Sequence, residues 1–300
     1  MSQTNELEIM ERIALDLEGV EESLASSFNT GAEDFNALIR PLSAERIRIA
    51  EAVEMLHLAT LIHDDVLDQA EIRRGEETIH MHKGNKVAIL SGDYLFAKAF
   101  QIVSEMPNMK YLQIFSHIIT CLVEGEFMQM EDVYRIDQGI ERYMTKTQKK
   151  TADFMEGCME LGGLLGGWSE SEIVELKKYG HALGMAFQIT DDIMDYRETT
   201  ETTGKPVGND LREGLLTYPL LSIVNDDNKD KLLADIKALN NGGDEQAIID
   251  YVIGQGGIDN TLAVANQYCK DALAALDAVR DFPGKEFLVM AVENLADRKV

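Results

Sequence analysis

Apolar residues recur along this chain three or four positions apart, and β-branched runs that alternate with polar residues are scarce. Ile49, Val53, Leu56 and Thr60 form one such stripe, and Ile173, Leu176, Tyr179 and Leu183 form another. Residues at this spacing stack on one face of an α-helix, so each stripe marks a helix that buries one side. The pattern predicts an all-α fold. Glycines are scattered or sit at apparent helix ends, and no Ser/Pro/Gly-rich or low-complexity stretch marks a boundary. One domain over residues 1–300 is therefore expected, and 45% hydrophobic content can fill its core.

Two of the apolar runs carry a feature that a core does not need. Leu61-Ile62-His63-Asp64-Asp65-Val66-Leu67-Asp68 and Gln188-Ile189-Thr190-Asp191-Asp192-Ile193-Met194-Asp195 are near-copies. In a helix Asp64 and Asp68 share one face, as do Asp191 and Asp195. Carboxylates so close repel one another unless something positive lies between them. A lone acidic cluster reads as a solvated face, but a repeat suggests two facing helices. Hard oxygen ligands point to Mg²⁺, and several Mg²⁺ ions point to a diphosphate.

The formal charge of −25 argues against nucleic acid and against charge-driven docking on an anionic membrane. Exposed charges farther than about 8 Å are screened, so the local constellation decides what binds. No apolar run approaches the ~18 residues of a membrane span and the acidic start has no signal-peptide pattern, so the cytoplasm is expected. Cys121, Cys158 and Cys269 have no metal-ligand spacing and are expected to pack as small apolar residues. His63, His80, His82, His117 and His181 lack ligand-spaced partners and are given no role.

Cations follow each cluster. Arg73-Arg74-Gly75 places two guanidiniums after the first, where their forks suit phosphate oxygens. After the second, Thr203-Gly204-Lys205-Pro206-Val207-Gly208-Asn209-Asp210-Leu211 has the composition of a loop that could bring Lys205 over a ligand. Lys150-Thr151 opens a further apolar helical stretch.

With these segments in place, the chain resembles the trans-prenyl diphosphate synthases, the polyprenyl synthetase family. Both aspartate motifs match, as do Arg73-Arg74-Gly75, Gly92-Asp93-Tyr94-Leu95, Gly125-Glu126 with Gln129, Lys150-Thr151-Ala152, Phe187-Gln188, the 204–211 loop and Thr217 with Pro219, in the family's order. The resemblance runs from about residue 40 to the C-terminus. It implies a single large helical bundle of the isoprenoid synthase type around a deep apolar cavity, with both aspartate motifs at its mouth. It also implies about three Mg²⁺ ions per active site, held by Asp64, Asp68, Asp191 and Asp195 with Asp65 and Asp192 beside them. The substrates implied are an allylic prenyl diphosphate and isopentenyl diphosphate. Arg73, Lys150, Lys205 and Gln188 would act on the leaving diphosphate, with Thr151 beside it; Arg74, His57 and Arg40 would take the second substrate. A homodimer is implied, with a small partner subunit as an alternative.

Ala59 and Thr60, five and four residues before Asp64, are expected on the cavity wall. Both are small where short-product members usually place an aromatic ring, which implies a medium or long product resembling those of bacterial hexaprenyl- and heptaprenyl-type synthases. Val53 and Leu56 are candidates for the cavity floor. Residues 1–45 depart from the family. Phe35-Asn36-Ala37-Leu38 stands where Gly-Gly-Lys-Arg is usual, only Arg40-Pro41 fits, and the stretch from Pro41 to Asp64 is about three helical turns short. Three functions remain open: a polyprenyl synthase, a terpene-synthase-like enzyme that ionises a prenyl diphosphate without condensation, and a weakly active subunit of a heteromeric synthase.

Overall fold

A computed structural model of the protein describes residues 44–197 and 208–297. Helix α1, Ala44–Leu67, packs lengthwise on α3, Asn85–Ser104. Between them lie an antiparallel hairpin, β1 (Ile72–Arg73) with β2 (Glu76–Glu77), and the short α2, Ile79–Lys83. Arg74 at φ 52° and Gly75 at φ 83° turn the hairpin, and two left-handed residues are what a tight two-residue loop requires. Ile72 pairs with Glu77 and Arg73 with Glu76. This hairpin is the only sheet among the described residues, and it interrupts the all-α pattern for a local purpose taken up below.

Helix α4 is Met109–Glu131, started by the Asn108 side chain accepting from Lys110 N–H. Then come α5, Gly139–Thr147, a five-residue π-turn, Gln148–Ala152, and α6, Asp153–Leu165. Helix α7, Glu170–Arg197, is the longest at 28 residues and lies at the centre. The chain closes with α8 (Asn209–Glu213), α9 (Tyr218–Leu221), α10 (Lys229–Ala238), α11 (Glu245–Gly254), α12 (Gly257–Asp277) and α13 (Lys285–Asp297).

The stripes read from sequence explain the packing. Ile173, Leu176 and Tyr179 are buried on α7, where Tyr179, Ala182 and Ala186 meet Cys269, Ala272 and Leu276 of α12. On α1, Ile49 and Leu56 are buried while Val53 and Thr60 are only half-buried, so that stripe divides between core and a more open face. Leu56 therefore belongs to the core rather than to a cavity floor. Cys121 and Cys269 are buried and Cys158 is half-buried, and all three are free thiols, as expected. The sequence suggested no membrane-length apolar run, yet α3 is long and apolar enough to cross a membrane by length and composition. In the fold its Ala88, Ser91, Leu95, Ala99 and Val103 are buried.

Helices α6 and α7 cross with little space between backbones. A Cβ on Gly180 would lie 2.6 Å from the Met155 carbonyl oxygen, and one on Gly184 would lie 2.6 Å from Ala152 Cα in the π-turn. Backbone cannot yield as a flexible side chain can. Gly184→Ala should therefore cost about 1–3 kcal/mol of stability by overpacking, against a helix-propensity gain of under about 1 kcal/mol. Urea denaturation checks this, and an unchanged or raised midpoint would show that the crossing has slack.

Candidate active site

The first aspartate cluster ends α1, and its three carboxylates have different surroundings. Asp65 is buried, and its Oδ1 accepts from Arg73 Nε at 2.6 Å. The hairpin turns the chain back so that Arg73 reaches an acid eight residues earlier. Asp64 and Asp68 accept no hydrogen bond from a described protein donor. The Asp64 carboxyl is pushed up to about 6, chiefly by burial; Glu126 and Asp68 add to the rise, while Lys150 and Arg73 oppose it. Asp68 is raised for the same first reason. Lys150, in the π-turn, pairs with Glu126 at 2.6 Å. A Cβ on Gly125 would lie 2.7 Å from Lys150 Cγ, so this glycine lets the lysine stem cross α4.

The second cluster ends α7. Asp192 is fully enclosed, accepts from the Tyr143 hydroxyl and from Gln188 Nε2 at 3.2 Å, and its carboxyl is pushed up to about 7 by burial. Gln188 Oε1 accepts in turn from Thr151 Oγ1 at 3.0 Å. Asp195 accepts from the backbone N–H groups of Asn209 at 3.0 Å and Asp210 at 3.3 Å, so it fastens the start of α8 to α7. Asp191 is exposed. Asp210 is raised well above the usual carboxylate range by burial and by Asp195, Asp192, Glu213 and Asp191.

A cavity of about 750 Å³ joins the two clusters, with Asp68, Arg73, Arg74, Lys150, Gln188 and Asp192 among its lining residues. Of the six aspartates expected to ligate metal, Asp65, Asp192 and Asp195 are engaged by protein donors, so their first task is to hold hairpin, helices and loop in place. Two acids of the first cluster fit a divalent cation: Asp64 and Asp68 stand close to one another and to Glu126 and accept from no described donor.

Near Arg74 lie His57 and Glu54. Burial, then the Arg74 and Arg73 guanidiniums, hold the His57 imidazole below its usual value, and burial raises Glu54. The His57 ring lies 5.9 Å from that of Phe154. Thr60 Oγ1 donates to the His57 carbonyl at 2.7 Å, which turns the hydroxyl into its own helix. Ala59 has no exposed surface and packs with Leu58, Ile62, Ala88 and Leu95. This corrects the pairing of Ala59 with Thr60 on one wall: five residues before Asp64 is about 140° around a helix, four is about 40°. Arg40, Lys205 and the Phe35-Asn36-Ala37-Leu38 segment lie outside the described residues.

Sequence reading passed over Tyr143, Lys146 and Asp210. Tyr143, Lys146 and Lys150 follow at helical spacing, which was the available signal. It also gave His181 no role, yet ligand atoms of Asp153, Glu156 and His181 lie within 4.8 Å of one another. Lys177 already supplies positive charge there, 3.4 Å from Glu156 and 2.6 Å from Glu160.

Residues 32–254 match the model of the Polyprenyl synthetase family. The chain belongs to the polyprenyl synthetase family. It is 36% identical to heptaprenyl diphosphate synthase component 2 of Geobacillus stearothermophilus, over 78% of this chain and 74% of that one. It is 31% identical to the octaprenyl diphosphate synthase of Escherichia coli, over 94% of this chain and 95% of that one. Among solved structures it resembles a Caulobacter crescentus polyprenyl synthase complexed with calcium and isoprenyl diphosphate, with TM-score 0.76, 32% identity, and 86% and 80% of the two chains covered. The bundle is thus of the isoprenoid synthase type, and the family is one of Mg²⁺-dependent prenyltransferases.

The raised Asp64 carboxyl sets a sign. Between its ordinary value of 3.8 and about 6 the metal-free folded protein binds this proton more readily than the unfolded chain, so this group's contribution to stability falls as pH rises through that window. A cation needs the carboxylate and must displace the proton below about pH 6. The Mg²⁺-induced rise in Tm should therefore be large at about pH 7.5 and small at about pH 5, and Asp64→Asn should flatten the difference. Equal Mg²⁺ shifts at both pH values in the unsubstituted protein would remove Asp64 from the metal site.

Proposed function

We propose that the chain condenses an allylic prenyl diphosphate with isopentenyl diphosphate, releasing diphosphate and forming a medium or long all-trans polyprenyl diphosphate. The observation that carries the reading is that Asp68 of the first cluster, which accepts from no described donor, and the Lys150–Gln188–Asp192 wall of the second border one cavity in a chain of this family. Asp64, Asp68 and Asp191 would hold Mg²⁺, which would supply Lewis-acid charge to the diphosphate. Lys150 leaves Glu126 to bind that diphosphate, and Gln188, fixed between Thr151 and Asp192, presents its amide beside it. The allylic C–O bond breaks with its electron pair going to the diphosphate, the isopentenyl double bond attacks the resulting cation, and the released diphosphate takes the proton. Arg74 and His57 are assigned to the second diphosphate site; Arg40 and Lys205, which the family resemblance assigns to the two sites, lie outside the described residues.

Helices α3 and α4 expose Ile89, Leu90 and Tyr94, and Val123, Phe127 and Met130. We assign this apolar surface to a cytoplasmic homodimer, with a small partner subunit as the alternative occupant. Phe127→Asp should convert the dimer to monomers in analytical ultracentrifugation, and an unaltered dimer would place the interface elsewhere.

Incubation with Mg²⁺ and farnesyl or geranylgeranyl diphosphate, with and without isopentenyl diphosphate, tests the activity. Elongated diphosphate supports condensation; a hydrocarbon or alcohol formed from the allylic substrate alone identifies an ionising enzyme instead. Product length adds a finer test. Thr60→Phe places a ring on the Asp64 face and should shorten the product with little loss of stability. Ala59→Phe should shorten it only at a cost of about 1–3 kcal/mol, because its site is filled. Unchanged product lengths in an active Thr60→Phe enzyme would remove residue 60 from the path of the growing chain.

A further inference from the structure

Lys146 ends α5 one turn before Lys150 and lines the same cavity beside Gln188 and Asp192. It is only 7% exposed. No carboxylate of the described residues lies within ion-pair distance of its ammonium, whose nearest recorded company is the Tyr143 ring, with the centroid 6.0 Å away. Asp132, Asp192 and Asp210 attract it from beyond contact. Arg142 and Arg135 both engage Asp132 Oδ1, while its buried Oδ2 has no hydrogen-bond partner among the described residues and stays beyond ion-pair distance of Lys146; Tyr143 and Gln188 take Asp192, and Asp210 sits beside the acids of α7. A buried ammonium without a hydrogen-bonded counter-charge is costly, and the side from which one can arrive is the cavity.

We propose that Lys146 is a further diphosphate ligand, donating a charge-assisted hydrogen bond to the diphosphate of the allylic substrate. The inference rests on the reaction proposed above. An anion held by cations at Asp64, Asp68 and Asp191 lies between the two clusters, and the Lys146 and Lys150 ammoniums, four residues apart on one wall, face it together. As the C–O bond breaks and its electron pair passes to the diphosphate, Lys146 keeps its proton and meets a growing negative charge. Its contribution therefore appears in the ionisation step as well as in binding.

The test uses the full chain and Lys146→Met, which keeps the length of the side chain and removes its charge. Titration calorimetry with inorganic pyrophosphate and Mg²⁺ should show binding at least about tenfold weaker than in the unsubstituted protein. With farnesyl diphosphate kcat/KM should fall at least as far, while KM for isopentenyl diphosphate stays unchanged and Lys146→Arg recovers part of the loss. The ligand-free Tm should hold or rise, since a partnerless buried charge has been removed. Pyrophosphate binding within about twofold of the unsubstituted protein overturns the assignment, and so does a lower ligand-free Tm, which would make Lys146 a structural counter-ion of the acids around it. If the unsubstituted protein neither binds pyrophosphate nor elongates farnesyl diphosphate, the prenyltransferase reading falls and takes this inference with it. If it does both and Lys146→Met does both equally well, this inference alone falls.

Discussion

Mutual repulsion among carboxylates around one cavity is the constraint on which the rest of this structure depends. Each acid there must find a hydrogen-bond donor, find a cation, or keep its proton. Asp65 takes Arg73, and the hairpin that returns Arg73 is the only sheet among the described residues. Asp195 takes the backbone N–H groups of Asn209 and Asp210 and so fastens the start of α8 to α7. Asp192 takes Tyr143 and Gln188, which ties α5 to α7. Asp64, Asp68 and Asp210 are the remainder, and burial raises their carboxyls as it raises those of Asp192 and Asp195.

The overall charge of −25 is compatible with a site for anions because charge acts locally. Arg73, Arg74, Lys146 and Lys150 all border the cavity. Elsewhere cations are spent on solvent-screened surface pairs such as Lys149–Glu124 at 2.5 Å and Lys229–Asp226 at 2.7 Å. The cavity thus holds cations on its walls and acids that call for divalent metal, the mixture that a metal-bound diphosphate satisfies and that neither a simple cation nor a simple anion does.

What could be read from the sequence was what periodicity encodes. The stripes over α1 and α7 and the two aspartate motifs follow from residues close together in the chain. The partners of Asp192 and Asp195 were not legible, because Tyr143 is 49 residues from Asp192 and Asn209 is 14 from Asp195, across segments whose path the sequence does not fix. Hence six aspartates looked alike. The hairpin was hidden for a different reason: Arg74 takes a left-handed conformation that arginine rarely adopts, and only the adjacent Gly75 hinted at a turn. Ala59 and Thr60 were paired because they are neighbours in sequence, whereas a helix turns adjacent residues about 100° apart.

The π-turn shows how a small irregularity serves the site. Five residues closing a wider turn shift the register between α5 and α6, so that neighbouring lysines part company. Lys149 goes to Glu124 on the surface and Lys150 to Glu126 beside the cavity, with Gly125 between the two acids leaving room for the second stem. In a regular helix Lys146 and Lys150 would already share a face; the π-turn keeps that face on the cavity while Ala152, one residue past Thr151, presses its backbone on Gly184 of the helix that carries the second aspartate cluster. Lys150 and the second cluster are thereby held to one another through backbone packing rather than through their charges. Their spacing is set before any metal or substrate arrives, so binding does not have to assemble it.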